Sequence, residues 1–166
     1  MKSPLAVLIF AAAASACASS ATMPPSAPSP LLGKSLPRVE APATISGPRI
    51  DGAAVAGRPV VVDFFAEYCE PCKRSLPAVE RASKDHPDVT FIGVSEDEYA
   101  ATAQGLVARY GLTFSVVHDA SGSLRGRFRV SALPATFVAD RTGVVRWVSG
   151  ASETDTDLGR VLDALR

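Results

Sequence analysis

Val61-Val62-Asp63-Phe64-Phe65-Ala66-Glu67-Tyr68-Cys69-Glu70-Pro71-Cys72-Lys73 sets a buried-looking apolar run directly against a pair of thiols. Residues 59–65, bounded by Gly57 and Pro59, form a short, nearly continuous apolar stretch, as expected of a central strand covered on both faces. A helix is predicted to follow over 71–84, with Leu76, Val79 and Ala82 on one side and Pro71 in the first turn, where its missing N–H costs nothing. Cys69 and Cys72 then sit where strand gives way to helix. The first-turn amides there have no partners and carry about half a positive charge. That field stabilises a thiolate at Cys69 and makes it the attacking sulfur, and Cys72, one turn on, is close enough to form a disulfide with it.

The same alternation continues outward. Residues 89–94 are a second β-branched run. Ser95 and Glu98 have capping-box spacing ahead of a helix carrying Tyr99, Leu106, Val107 and Tyr110 and ended by Gly111. Residues 113–117 and 136–139 read as strands, and Asp140-Arg141-Thr142-Gly143 as the turn of a hairpin to 144–148. Leu158, Val161, Leu162 and Leu165 fall at i, i+3, i+4 and i+7, an amphipathic closing helix. The order predicts an α/β domain with a central mixed sheet flanked by helices on both faces.

The 166 residues are 47% apolar with 17 basic and 17 acidic side chains, enough for one packed core and without the basic footprint that nucleic acid requires. The charges are unevenly placed, because Lys2 is the single charged side chain before Lys34. One positive charge, ten apolar residues from Leu5 to Ala14 and small residues before Cys17 have the layout of a secretory signal too short to span a bilayer. Ala14-Ser15-Ala16-Cys17 resembles the lipobox of bacterial lipoproteins, with Ala14 where Leu is usual, which implies export and a lipid on Cys17. Residues 1–17 are therefore expected to be the signal. Residues 18–42, rich in Pro, Ala and Ser, are expected to be an extended mobile linker, of which the stretch 18–33 alone reaches about 50 Å at ~3.1 Å per residue, and residues 43–166 the domain.

Other uses of two cysteines at this spacing have less support in the sequence. A structural zinc site needs a second ligand pair, and His86 and His118 are widely separated. Covalent haem needs a His where Lys73 stands. A copper site built on both thiolates and His118 stays open, as does a static disulfide, although closing so few residues removes little chain entropy.

The stretch from Val61 to Lys73, Pro77 in the helix after it, and Leu133-Pro134-Ala135-Thr136-Phe137 together resemble the exported, membrane-tethered thiol-disulfide oxidoreductases of the thioredoxin fold, the group that includes the cytochrome c maturation reductases. Tyr110-Gly111-Leu112 and the turn at Asp140 add to a resemblance spanning about residues 36–166. It implies that Cys69 is the nucleophile, Cys72 the resolving thiol, and Asp63 a buried proton acceptor for Cys72. An aspartate inside so apolar a strand is costly unless it has such a task. Pro134 would be a cis-proline facing the cysteines, with Leu133 making an apolar contact to an extended substrate, and Tyr68 would flank the motif. No cofactor or metal is implied beyond the redox-active disulfide. The partners implied are protein thiols and disulfides, an upstream electron donor in the membrane, and a lipid tether in the periplasm. Glu70 opposes the helix field, which favours a reductase. Ser75 stands where many cytochrome c maturation reductases have Glu. The alternative from a different class is a thioredoxin-fold copper carrier or assembly chaperone with non-catalytic cysteines. Peroxide reduction is a third reading, which no motif here requires.

Overall fold

The computed structural model describes residues 22–40, 43–50, 55, 57–149 and 154–165. Ten elements follow in order: β1 (Ala43–Ser46), β2 (Val60–Phe65), α1 (Glu70–Asp85), β3 (Thr90–Ser95), α2 (Ala100–Tyr110), β4 (Ser115–His118), α3 (Ser123–Phe128), β5 (Ala135–Ala139), β6 (Val145–Val148) and α4 (Thr154–Ala164). The strands form one mixed sheet in the order β1-β4-β3-β2-β5-β6. β2 runs parallel to β3 and antiparallel to β5, and β3 runs parallel to β4.

Because β2 lies between β3 and β5, its successive side chains enter two different cores. Val61 and Phe65 join Cys72, Leu76 and Val79 of α1, Leu106 of α2 and Leu158, Val161 and Leu162 of α4. Val60, Val62 and Phe64 join Leu124 and Phe128 of α3, with Leu31, Leu32, Leu36 and Val39. That two-sided burial is why the run reads as continuously apolar, and it places Asp63 on the α1 side with Val61 and Phe65. Burying a side chain such as Leu76 fully stabilises the fold by roughly 1.5–3 kcal/mol. Gly93 on β3, in register with Asp63, lets Phe65 and Phe114 close over it: a Cβ there would lie 2.9 Å and 3.0 Å from their rings.

Three sequence expectations need correction. Ser95 is not a helix cap: it ends β3 in register with His118, its hydroxyl donates to Asp97 Oδ2 at 2.9 Å, and α2 begins only after Tyr99. The short α3 and the edge strand β1 were not expected. Nor is the Pro-rich segment free where it is described. Ala27 N–H donates to the Val148 carbonyl at 2.8 Å, Gly33 N–H to Val145 at 2.9 Å, and Ser35 bridges Val144. Trp147 Nε1–H donates to the Pro25 carbonyl at 2.9 Å. Residues 22–40 thus form a strap along β6, whose outer edge needs partners, and prolines are tolerated there because an edge does not demand every N–H. The signal at 1–17 and linker residues 18–21, 41 and 42 lie outside the described residues.

Candidate active site

Cys69 is the N-cap of α1, and its Sγ accepts the Cys72 backbone N–H at 3.2 Å, the place usually taken by a capping oxygen. A sulfur so placed is offered a first-turn donor and the positive end of the helix, both of which favour the thiolate once the pair is reduced. Cys69 and Cys72 are joined by a disulfide with their Cα atoms 5.3 Å apart. Cys69 keeps 6% exposure and Cys72 none, so only the first sulfur can be approached from solvent.

Asp63, in the strand that leads to Cys69, is 1% exposed. Its Oδ1 accepts the hydroxyl of Thr136, its register partner on β5, at 2.7 Å, while Oδ2 has no hydrogen-bond partner. Burial pushes the carboxyl up from 3.8 to about 7, against the smaller opposing effect of Thr136. An acid poised there can hold or release a proton near neutrality.

The Leu133-Pro134 peptide bond is cis, and Leu133 lines an open cleft with Tyr68, Cys69, Glu70 and Pro71. Tyr68 is 67% exposed on its rim. Glu70 does not stand as an isolated negative charge. Lys73 Nζ lies 2.9 Å from both Glu70 and Glu67, and the hydrogen bond from Lys73 holds the Glu70 carboxyl below its ordinary value. Among the described residues no group of three or more His, Cys, Asp and Glu side chains is placed to hold a metal. The His118 ring that a copper site requires has its Nε2 2.7 Å from the Asp97 carbonyl.

The sequence pattern of the AhpC/TSA family matches residues 32–148. The chain belongs to the AhpC/TSA family. It is 31% identical over 121 residues to the soluble secreted antigen MPT53 of Mycobacterium tuberculosis, covering 71% of this chain and 70% of that protein. Over 112 residues it is 27% identical to the thiol-disulfide oxidoreductase ResA of Geobacillus kaustophilus, covering 66% and 64%. The solved structure of MTB dsbF in its mixed oxidized and reduced forms superposes with a TM-score of 0.69 at 30% identity, covering 76% of this chain and 95% of that one. This AhpC/TSA member is a thioredoxin-like thiol-disulfide oxidoreductase, in keeping with its relatives and its paired cysteines.

The sequence reading missed two residues beside the cleft of this family member. Arg125 of α3 also lines the cleft, and its guanidinium is ion-paired with Glu96, whose side chain is only 6% exposed. Burial raises the Glu96 pKa, and Arg125 opposes that shift. The arginine further donates to the Ser131 carbonyl at 3.2 Å, and so ties the end of β3 to the loop that leads into Pro134. No local motif marks this pair, since 29 residues separate its members. The sole sequence cue is Leu124 and Phe128, an i, i+4 apolar pair that outlines α3.

Proposed function

We propose that the protein is an exported disulfide reductase acting on protein substrates, with Cys69 as the nucleophile. The observation that carries the assignment of Cys69 as nucleophile is the placement of its sulfur as the helix N-cap, 6% exposed, beside a fully buried Cys72. The Cys69 thiolate attacks one sulfur of a substrate disulfide. A bond forms between Cys69 and that sulfur while the substrate S–S bond breaks, and the second substrate sulfur leaves as a thiolate that takes up a proton. Cys72 then gives its proton to the Asp63 carboxylate and attacks the Cys69 sulfur. This closes the Cys69–Cys72 disulfide and releases the substrate's other thiol. Two electrons have passed from the dithiol to the substrate.

Asp63 is supported in the acceptor role by its burial on the α1 side of β2 and its pKa of about 7. Leu133 and cis-Pro134 offer an apolar contact and backbone groups to an extended substrate, with Tyr68, Glu70 and Pro71 forming the opposite rim. A membrane-bound dithiol donor restores the reduced state. Lipid on Cys17 tethers the domain in the periplasm, and export is supported by the signal-like segment and by the secreted relative.

The experiment is trapping in the exported protein. Cys72→Ser, which can attack but not resolve, is expected to accumulate mixed disulfides with protein partners, and Cys69→Ser to form none. Equal trapping by both variants, or by neither, contradicts the assignment. Cys17→Ala is expected to move the protein from the membrane fraction to the soluble one.

A further inference from the structure

We propose that Arg125 and Arg129 make the rim of the cis-proline loop a selector for substrates with acidic residues beside the cysteine to be reduced. The inference rests on the disulfide-reductase reading and names the substrate class of that same site. The two arginines flank the 130–134 loop. Arg125 lines the cleft that holds Cys69 and Leu133, with its side chain 37% exposed. It is held in place by three bonds: its backbone N–H donates to Asp119 Oδ2 at 2.9 Å, Nη1 pairs with Glu96, and Nη2 reaches the Ser131 carbonyl. Those side-chain bonds use two of its five N–H donors.

Arg129 lies across the loop, in a second groove walled by Ala27, Pro28 and Pro30 of the strap and by Ser131, Pro134 and Ala135. Its side chain is exposed and has no hydrogen-bond or ion-pair partner among the described residues. Its backbone closes α3 at φ 55, and among the described residues it is the one non-glycine residue with positive φ. A helix end of this kind favours glycine or asparagine, so the arginine is set against the local backbone preference. The strap wall offers it no counter-ion, since Lys34 is the first charged residue after Lys2.

Pro134 belongs to the second groove and Leu133 to the first, so an extended polypeptide that crosses the loop with its cysteine at Cys69 enters both. Residues of that polypeptide next to its cysteine, advancing about 3.3 Å each, pass the loop on the sides that Arg125 and Arg129 line. Carboxylates there meet the uncompensated charge of Arg129 and the remaining N–H donors of Arg125, whose own charge is shared with Glu96, whereas a basic segment meets repulsion from Arg129. On the opposite rim Glu67 and Glu70 already share Lys73, which confines the acidic preference to the loop side.

The test uses the reduced exported protein with its strap and three synthetic peptide disulfides of equal length whose flanking positions are Asp, Ser or Lys, with rates measured by stopped flow. The acidic peptide is expected to react about tenfold faster than the basic one at low salt, with the gap closing at high salt. Arg129→Gln is expected to cut that ratio about threefold and Arg129→Lys to preserve it, as for exposed charge pairs. Arg125→Gln combined with Arg129→Gln removes the preference. Equal rates for all three peptides, or a ratio unmoved by Arg129→Gln, overturn the proposal while leaving the reductase reading intact. Failure to reduce any of the peptides overturns the reductase reading, and this inference with it.

Discussion

Asp63→Asn replaces a buried acid by a neutral side chain of the same shape that can still accept the Thr136 hydroxyl. In the folded protein the carboxyl is 1% exposed and its pKa is raised to about 7, whereas in the unfolded chain it titrates near its ordinary 3.8. Below the unfolded value both states hold the proton and the acid costs nothing. As pH rises through the window between the two values, the unfolded chain ionises first, so the wild type loses stability relative to the variant. Above about 7 the loss is complete, and three pKa units at 1.36 kcal/mol each give about 4 kcal/mol. The assay is urea unfolding of the oxidised wild type and variant, a form in which neither active-site cysteine titrates, from about pH 4 to about pH 8. The two should be close in stability at the acid end and diverge steadily in favour of the variant towards the alkaline end. A difference that does not change with pH would refute the buried, high-pKa acid.

Two further perturbations probe the scaffold that holds the site. Gly93→Ala forces a Cβ against the Phe65 and Phe114 rings, at 2.9 Å and 3.0 Å. It should destabilise the domain by about 1–3 kcal/mol in urea unfolding, and an unchanged midpoint would mean that the rings do not close over β3. Trp147→Phe removes the donor that holds the Pro25 carbonyl at 2.9 Å. It is expected to cost about 1–2 kcal/mol and to speed limited proteolysis within residues 22–33; unchanged cleavage would indicate a strap held by its other bonds alone.

The sheet centre and the thiols were legible because several local rules agree there. An unbroken apolar strand, a proline suited to a first helical turn and two cysteines one turn apart all specify the same junction between β2 and α1. Asp63 stood out because its polarity conflicts with that strand. The closing helix was legible from its period. α3 was not, because Gly126 and two arginines leave only Leu124 and Phe128 as an apolar signal over six residues. Ser95 misled because capping-box spacing is a local pattern, and pairing of β3 with β4 claimed the residue first. The strap was misread for a related reason. Proline content reports that a segment cannot be helix or central strand, but it is silent on whether an open sheet edge and a buried tryptophan N–H elsewhere in the chain will hold it. Arg125 and Glu96 meet only through the tertiary fold.

The central claim is that Cys69 and Cys72 cycle as one dithiol/disulfide couple on the reducing side. Equilibration of the purified protein in glutathione and dithiothreitol buffers, with the thiols counted by alkylation and mass spectrometry, measures this directly. The account predicts a single two-electron transition, with a tenfold change in the reduced-to-oxidised ratio for every ~30 mV and a midpoint below about −200 mV. A disulfide that stays closed across the whole range, or a midpoint near the roughly −120 mV of a strong oxidant, would contradict it.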